Sequence, residues 1–262
     1  MADSLYIVKE YEQSYNILEQ TFSRFEPIDM EIYNELITYI KLKILLKKDV
    51  SYDEFTRLIS VYGYTESYLK NDDVLGAFYE QNEQQLIHDT PQLQKQYLSS
   101  INLDLRNQIL RMKSEDQLYR DNYGTYQEEQ TRIDSTNTEK LIHIFNTYGF
   151  PSKKLIGEYS VDNNSPNINA LLLHTRDSIR EHYFIPKVKE YVHQGKANPR
   201  LVGTMYDQLL LYDGFEQYYG TYSSSPITEA SEAEINRRRA SIGLPSYGYE
   251  DWRYRILYPE FK

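Results

Sequence analysis

The sequence predicts an all-α fold, a multi-helix array or bundle. Apolar residues recur at spacings of three and four through most of the chain. Capping signatures and Gly–Pro stops punctuate these stripes at helix-length intervals. No segment alternates apolar and polar residues over six positions, and no hairpin-turn signal joins two apolar runs.

The first stripe is Val8, Tyr11, Tyr15, Leu18, Phe22 and Phe25, and the second is Tyr33, Leu36, Ile37, Ile40 and Ile44. Ser51-Tyr-Asp-Glu54 is a capping box ahead of Phe55, Leu58, Ile59 and Tyr62. Thr90-Pro91 reads as a cap followed by Pro at the first helical position, opening a stripe of Tyr97, Ile101, Leu105, Ile109 and Met112. The polar stretch from Tyr119 to Asp134 reads as a loop. Helix is expected to resume at Thr136-Asn-Thr-Glu139 and to stop at Gly149, with Pro151 just beyond. Leu155 to Val161 reads as a short extended piece. Ser165-Pro166 and Asn198-Pro199 read as two further helix starts. Ser231-x-x-Glu234 opens a last helix that stops at Gly243. Tyr-Gly-Thr-Tyr occurs at 123–126 and again at 219–222, and each glycine suits a left-handed helix end. Residues 1–88 read as an N-terminal Tyr-rich helical unit and 89–262 as a C-terminal helical domain, with a linker near His88-Asp-Thr-Pro91.

At 262 residues the chain is long enough for one large core or two modest ones. A net charge of −10 repels phosphate backbones, so nucleic acid is not an expected partner. The Arg237–Arg239 run reads as cations complementing a helix C-terminus. The 27 tyrosines carry apolar area with a polar tip and suit helix seams that stay partly wet. With no cysteine, disulfides, thiol catalysis and Cys-based metal sites are excluded. The first ten residues do not have the pattern of a signal peptide. The most apolar stretch, Ile37 to Leu46, is interrupted by Lys41 and Lys43. The expectation is a soluble, cytoplasmic protein that does not enter the membrane.

Polar residues sit within the helical pattern of the last 150 residues: Asp116-Gln117-x-x-Arg120, Gly149-Phe150-Pro151, His174, Asp207, Gln217-x-Tyr219-Gly220-Thr221 and Arg239…Gly243-Leu244. Polar groups at core-facing positions are costly unless paired or used. With Asp134 and Asn137, their order resembles that of a bacterial domain family of unknown function. That family carries Asp-Gln-x-x-Arg, Asp-x-x-Asn, Gly-Trp/Phe-Pro, a helical His followed by Tyr-Leu-Pro, an Asp-Arg pair, Gln-x-Tyr-Gly-Thr/Ser and Arg…Gly-Leu. The resemblance covers residues of about 100–250. It implies a mostly helical bacterial domain and no particular activity. The sequence departs from the pattern at Leu173 and Arg176, where Gln and Asp are usual, with Asp177 one residue further on. It departs again at Tyr183-Phe-Ile-Pro186, one residue longer than Tyr-Leu-Pro, and at Gln208, where Arg is usual.

Each polar residue has a structural reading beside a functional one. His174 is either a hydrogen-bonded buried histidine or a general acid–base. Asp207 and Asp177 are the candidates to orient it, or are ordinary carboxylates. Asp116 and Arg120, four apart, form a salt bridge or place a guanidinium to clamp an anionic group. Gln117, Gln217 and Tyr219 either hold a polar ligand or cap helix carbonyls. No metal site is expected. His174 and His182 do not share a helix face, and His182 and His193 lie ~16 Å apart along one. Phosphate-loop, dinucleotide, His-Glu-x-x-His and Gly-x-Ser-x-Gly motifs are missing, and no cofactor is expected. Two function classes follow. One is a binding or interaction module for a protein partner or a small polar ligand; an acidic module of this kind suits, for instance, a basic toxin. The other is an enzyme using His174 with Arg120, Gln217 and Tyr219 holding a polar substrate.

Overall fold

Every regular element among the described residues is helical, as the periodicity predicts. The computed structural model describes residues 1–25, 34–122, 124–222 and 229–261. Tyr33 of the second stripe and Tyr123 of the first Tyr-Gly-Thr-Tyr lie outside them. Among the described residues, no helix is long and apolar enough to cross a membrane. The helices are α1 (Ala2–Ile7), α2 (Tyr11–Phe22), α3 (Glu35–Leu45), α4 (Tyr52–Ser60), α5 (Glu66–Asn71), α6 (Leu75–Gln81), α7 (Glu83–Ser100) and α8 (Leu103–Asp116). They continue as α9 (Gln127–Thr147), α10 (Lys153–Ile156), α11 (Asn169–Leu173), α12 (Asp177–Ile179), α13 (Ile185–His193), α14 (Pro199–Tyr212), α15 (Glu232–Ser241) and α16 (Tyr249–Leu257). By contact the chain forms two compact units: residues 1–106 with 153–165 and 256–262, and residues 107–152 with 166–255.

Several ends form as their chemistry dictates. Ser51, Asn198 and Ser231 cap α4, α14 and α15, each side-chain oxygen accepting a backbone N–H of the first turn. Gly149, at φ +80°, follows α9, and Gly243, at φ +83°, follows α15. Other ends differ from expectation. Thr90-Pro91 opens no helix, and the expected linker is helical, because α7 runs straight through Pro91. Burial of Leu86 before the proline and Tyr97 after it holds both halves in one helix despite the missing N–H.

The expected loop of 119–134 is helical from Gln127 onward, and Thr136–Glu139 lies inside α9. Gln130, Asn137 and Thr138 are buried on that helix, so polar residues occupy positions where an apolar stripe would have marked it. Residues 155–161 form the end of α10 and a 3-10 turn, not an extended piece. The helix expected at Ser165-Pro166 starts only at Asn169. The first stripe breaks at Lys9, whose φ of 65° separates α1 from α2, and leaves Val8 and Phe25 exposed. The glycine that follows α14 is Gly214 (φ +79°). Gly220 is left-handed in the loop beyond, and Gly124 does not have a positive φ.

In the first unit, Ile37 and Ile40 of α3 pack with Phe55, Leu58 and Ile59 of α4, and with Leu69, Leu75, Tyr79 and Leu86 of the next three helices. Leu18 of α2 meets Ala2 and Leu42 in a smaller cluster. Tyrosines at the edge of these clusters, and Tyr79 within one, give their hydroxyls to carboxylates. Tyr52 donates to Asp89 at 2.9 Å, Tyr79 to Glu66, and Tyr15 and Tyr39 both to Glu19. Apolar burial with a satisfied polar tip is what a partly wet seam asks of tyrosine.

Residues 153–165 return to this unit and are tied there by Arg106, which is fully buried. Its guanidinium donates to the carbonyls of Ile156, Gly157 and Asn164 and forms a two-nitrogen fork onto Asp162. The Tyr97 hydroxyl accepts the N–H of Glu158 at 2.9 Å. Gly157 is needed here. A Cβ would sit 2.8 Å from the Ile101 side chain, and its φ of +77° disfavours any other residue.

In the second unit α11 packs on α9 and α14, and α13 on α14. Phe145 of α9 meets Phe150, Phe184 and Tyr191 edge-on, with ring centroids 5.3–6.0 Å apart. Between α12 and α13 the helix widens into a π turn, Arg180–Phe184. Pro186, the second residue of α13, follows just beyond it. Its missing N–H and its ring conflict with the carbonyl one α turn back, and a π turn is one way to absorb that conflict.

Candidate functional site

Asp116 ends α8 with its side chain 1% exposed. A carboxylate buried this far must be surrounded by donors. His174 Nδ1 lies 2.8 Å and 2.9 Å from its two oxygens. Arg120 Nη2 donates to Oδ1 at 3.0 Å, and the Gln117 amide donates to Oδ2 at 2.5 Å. Helix α8 has ended before Arg120, which sits on a 3-10 turn, yet the four-residue spacing still closes the pair. Arg120 also donates through Nε to the Asp116 carbonyl at 3.0 Å, and through Nη2 to Asp134 on α9. Gln130, fully buried, donates to the same carbonyl and to Asp134, both at 3.0 Å, and accepts the N–H of Tyr119. Asn137 adds a bond from its amide to the Met112 carbonyl.

Burial alone would raise the Asp116 carboxyl. The hydrogen bond and charge of His174, with those of Arg120, outweigh it and hold the group below the usual aspartate range. An ionised carboxylate only accepts, so the network assigns a proton to Nδ1 of His174. In the neutral ring the lone pair then lies on Nε2, which has no hydrogen-bond partner among the described residues; the side chain is 27% exposed. This is an oriented imidazole with its basic atom outward.

His174 is not inside a helix as expected. It is the C-cap residue of α11, with φ −95° and ψ 4°. Asp177 does not reach it. The Asp177 carboxylate instead pairs with Arg180, whose side chain is 1% exposed. Arg180 Nη1 donates to the carbonyls of Leu173 at 2.6 Å and Thr175 at 2.9 Å, the residues on either side of His174. Arg176 extends over α9 to a weak 3.4 Å contact with Ser135. Ser135 lines an open groove of about 640 Å³ with Gln127, Glu128, Thr131 and Arg132.

Asp207, Gln217 and Tyr219 build a different cluster. Asp207, fully buried on α14, accepts the N–H groups of Tyr218 and Tyr219 at 2.8 Å, the N–H of Thr221 at 2.9 Å and the Thr221 hydroxyl at 2.8 Å. All four bonds organise the loop after α14, so the carboxylate is used there and not on His174. Gln217 donates to the Tyr222 carbonyl at 2.9 Å and accepts its N–H at 2.7 Å. Tyr219 is buried. Desolvation, then neighbouring Tyr218 and Tyr206, push its hydroxyl up to about 12, which keeps the proton on it at neutral pH. Arg239 donates to the carbonyls of Tyr219, Gly220 and Pro245. The arginine run therefore does more than complement a helix end: Arg239 ties the loop on one side of α15 to the loop that follows it.

The structure thus brings Asp116, Gln117, Arg120 and His174 together and gathers Asp207, Gln217 and Tyr219 into a loop-organising cluster. Gln130 and Arg180 were not singled out by sequence. Gln130 lies in a stretch too polar to look buried, and Arg180 sits in a charged run that resembles a solvated face. Among the described residues, no group of three or more His, Asp or Glu side chains is placed to hold a metal ion. Comparison of the chain with family models, with curated proteins and with solved structures finds no match.

Proposed function

We propose that the second unit is a binding module for a small polar ligand, and that His174 Nε2 is the atom that meets it. One observation carries this reading: a buried carboxylate holds Nδ1, and Nε2 points outward without a partner. The Nδ1 bond fixes the ring, and the outward Nε2 is left accessible to a ligand from solvent. The same arrangement gives the imidazole the form of a general base, so proton transfer to or from a bound ligand is the catalytic extension of the reading. Arg120 contributes by fixing Asp116. Gln217 and Tyr219 are given no part in this ligand site, since the Gln217 amide and the Tyr219 backbone are engaged in the loop after α14. On this reading the protein acts as a soluble cytoplasmic bacterial protein, without nucleic acid.

Membership of the bacterial family of unknown function is part of the proposal. It is supported by residues drawn from three separate motifs: Gln117, Arg120 and His174 converge on the Asp116 carboxylate, and Asp134 accepts a further bond from Arg120.

The test is a screen of small polar metabolites by ¹⁵N-histidine NMR on the full chain and on His174→Gln. Binding should move the His174 Nε2 resonance, and His174→Gln should abolish it with little change in melting temperature. The reading fails if no compound perturbs Nε2 and if His174→Gln unfolds the unit as severely as Asp116→Asn.

A further inference from the structure

His174 is gripped at its ring by Asp116, but a ring can be aimed only if its backbone is also held. At the C-cap of α11 the His174 N–H closes the last helical bond, onto the Ala170 carbonyl at 3.0 Å, but the carbonyls at the helix end lie beyond that ladder and need donors from elsewhere. The carbonyls of Leu173 and Thr175 flank it, and both accept from one atom, Nη1 of Arg180. The other end of that guanidinium is fixed by Asp177. The Arg180 side chain is 1% exposed, so its geometry is set by packing and not by solvent. It projects from the first residue of the π turn, a feature that recurs at functional sites.

We propose that Arg180 is the positioning residue of His174: by holding the two carbonyls on either side, it presents Nδ1 to Asp116 and leaves Nε2 outward. This rests on the reading of His174 as the working group. Asp177 then has an indirect role, as the anion that locks Arg180. Lysine at 180 keeps the charge but not the planar fork, so it should not substitute.

The experiment reads the His174 tautomer by ¹⁵N NMR of the full-length protein at a pH where the ring is neutral. Arg180→Lys, Asp177→Asn and Val188→Ala are compared with the parent. The last removes buried volume elsewhere in the same unit and reports generic destabilisation. The parent should show one tautomer, protonated at Nδ1. In Arg180→Lys the Nε2-protonated form should rise about tenfold relative to the other, a 1.4 kcal/mol change in the balance. Asp177→Asn should produce a smaller rise in the same direction, and Val188→Ala none. If Arg180→Lys does not fold, Asp177→Asn against Val188→Ala decides. A parent already protonated at Nε2 overturns the reading of His174 itself. A parent protonated at Nδ1, with both Arg180→Lys and Asp177→Asn unchanged, overturns only the role of Arg180. So does a shift in Val188→Ala as large as theirs.

Discussion

Asp116 presents both carboxylate oxygens to a single nitrogen of His174, at 2.8 and 2.9 Å, across 58 residues of chain. The carboxylate is almost fully buried and the imidazole is not. The two partners should therefore respond differently to loss of the pair. Asp116→Asn leaves Arg120 and His174 without their shared anion and should cost about 3–5 kcal/mol, the usual penalty for breaking a buried pair from one side. His174→Gln should cost less than half of that. Urea denaturation of both variants checks the order, and equal losses would contradict it.

The acid limb of stability should carry the mark of Asp116. Its carboxyl is held below the usual aspartate range in the folded protein. The unfolded chain therefore binds the proton first, and the stabilisation is fully present above the ordinary value near 3.8 and lost as pH falls through the folded-state value. The stability gap between the parent and Asp116→Asn should thus close as pH falls below the ordinary value. A gap that widens below that point would reverse the assigned sign.

Glu35 should behave in the opposite sense. Burial raises its carboxyl, and among the described residues Oε2 has no hydrogen-bond partner. Here the folded state binds the proton first, so the group lowers stability increasingly as pH rises through its folded-state value. Glu35→Gln should stabilise the protein by about 0.5–2 kcal/mol at neutral pH, with the gain vanishing in acid. Thermal melts at both pH values check this, and a loss at neutral pH would refute it.

Asp207 should matter to its loop and not to His174. Asp207→Asn puts an amide against N–H donors and should cost about 2–3 kcal/mol. Hydrogen exchange at Tyr218, Tyr219 and Thr221 should accelerate, because these amides donate to it. The His174 tautomer should remain as in the parent. A changed tautomer would restore Asp207 as its orienter.

Arg106→Met should release residues 156–164. It removes every hydrogen bond that the buried guanidinium makes to that segment and leaves Asp162 unpaired. A loss of about 3–5 kcal/mol is expected, with new proteolytic cleavage between Gly157 and Asn164. An unchanged cleavage pattern would show that the segment is held by other contacts.

Residues whose chemistry acts locally were legible in the sequence. Ser51, Asn198 and Ser231 cap where they read as caps, and Gly149 and Gly243 follow helices where they read as stops, because these effects need only neighbouring residues. Asp116 and Arg120 read as a pair for the same reason. Residues whose chemistry is tertiary were not. The partner of His174 is 58 positions away, and spacing gives no hint of it. Gln130 helped make the start of α9 look like a loop because its burial depends on what it bonds, which periodicity does not register. Pro91 reads as a start by local rules and is overruled by the packing on either side of it.

The Arg106–Asp162 fork has a consequence for how the chain is made. Synthesis delivers the cation 56 residues before its anion, and all of α9 is translated in between. A nascent chain halted at α9 carries a guanidinium meant for a dry interior with nothing to neutralise it. Residues 1–106 should therefore gain full protease resistance on the ribosome only after Asn164 has emerged. The vectorial order of translation and the order of consolidation do not coincide in this protein.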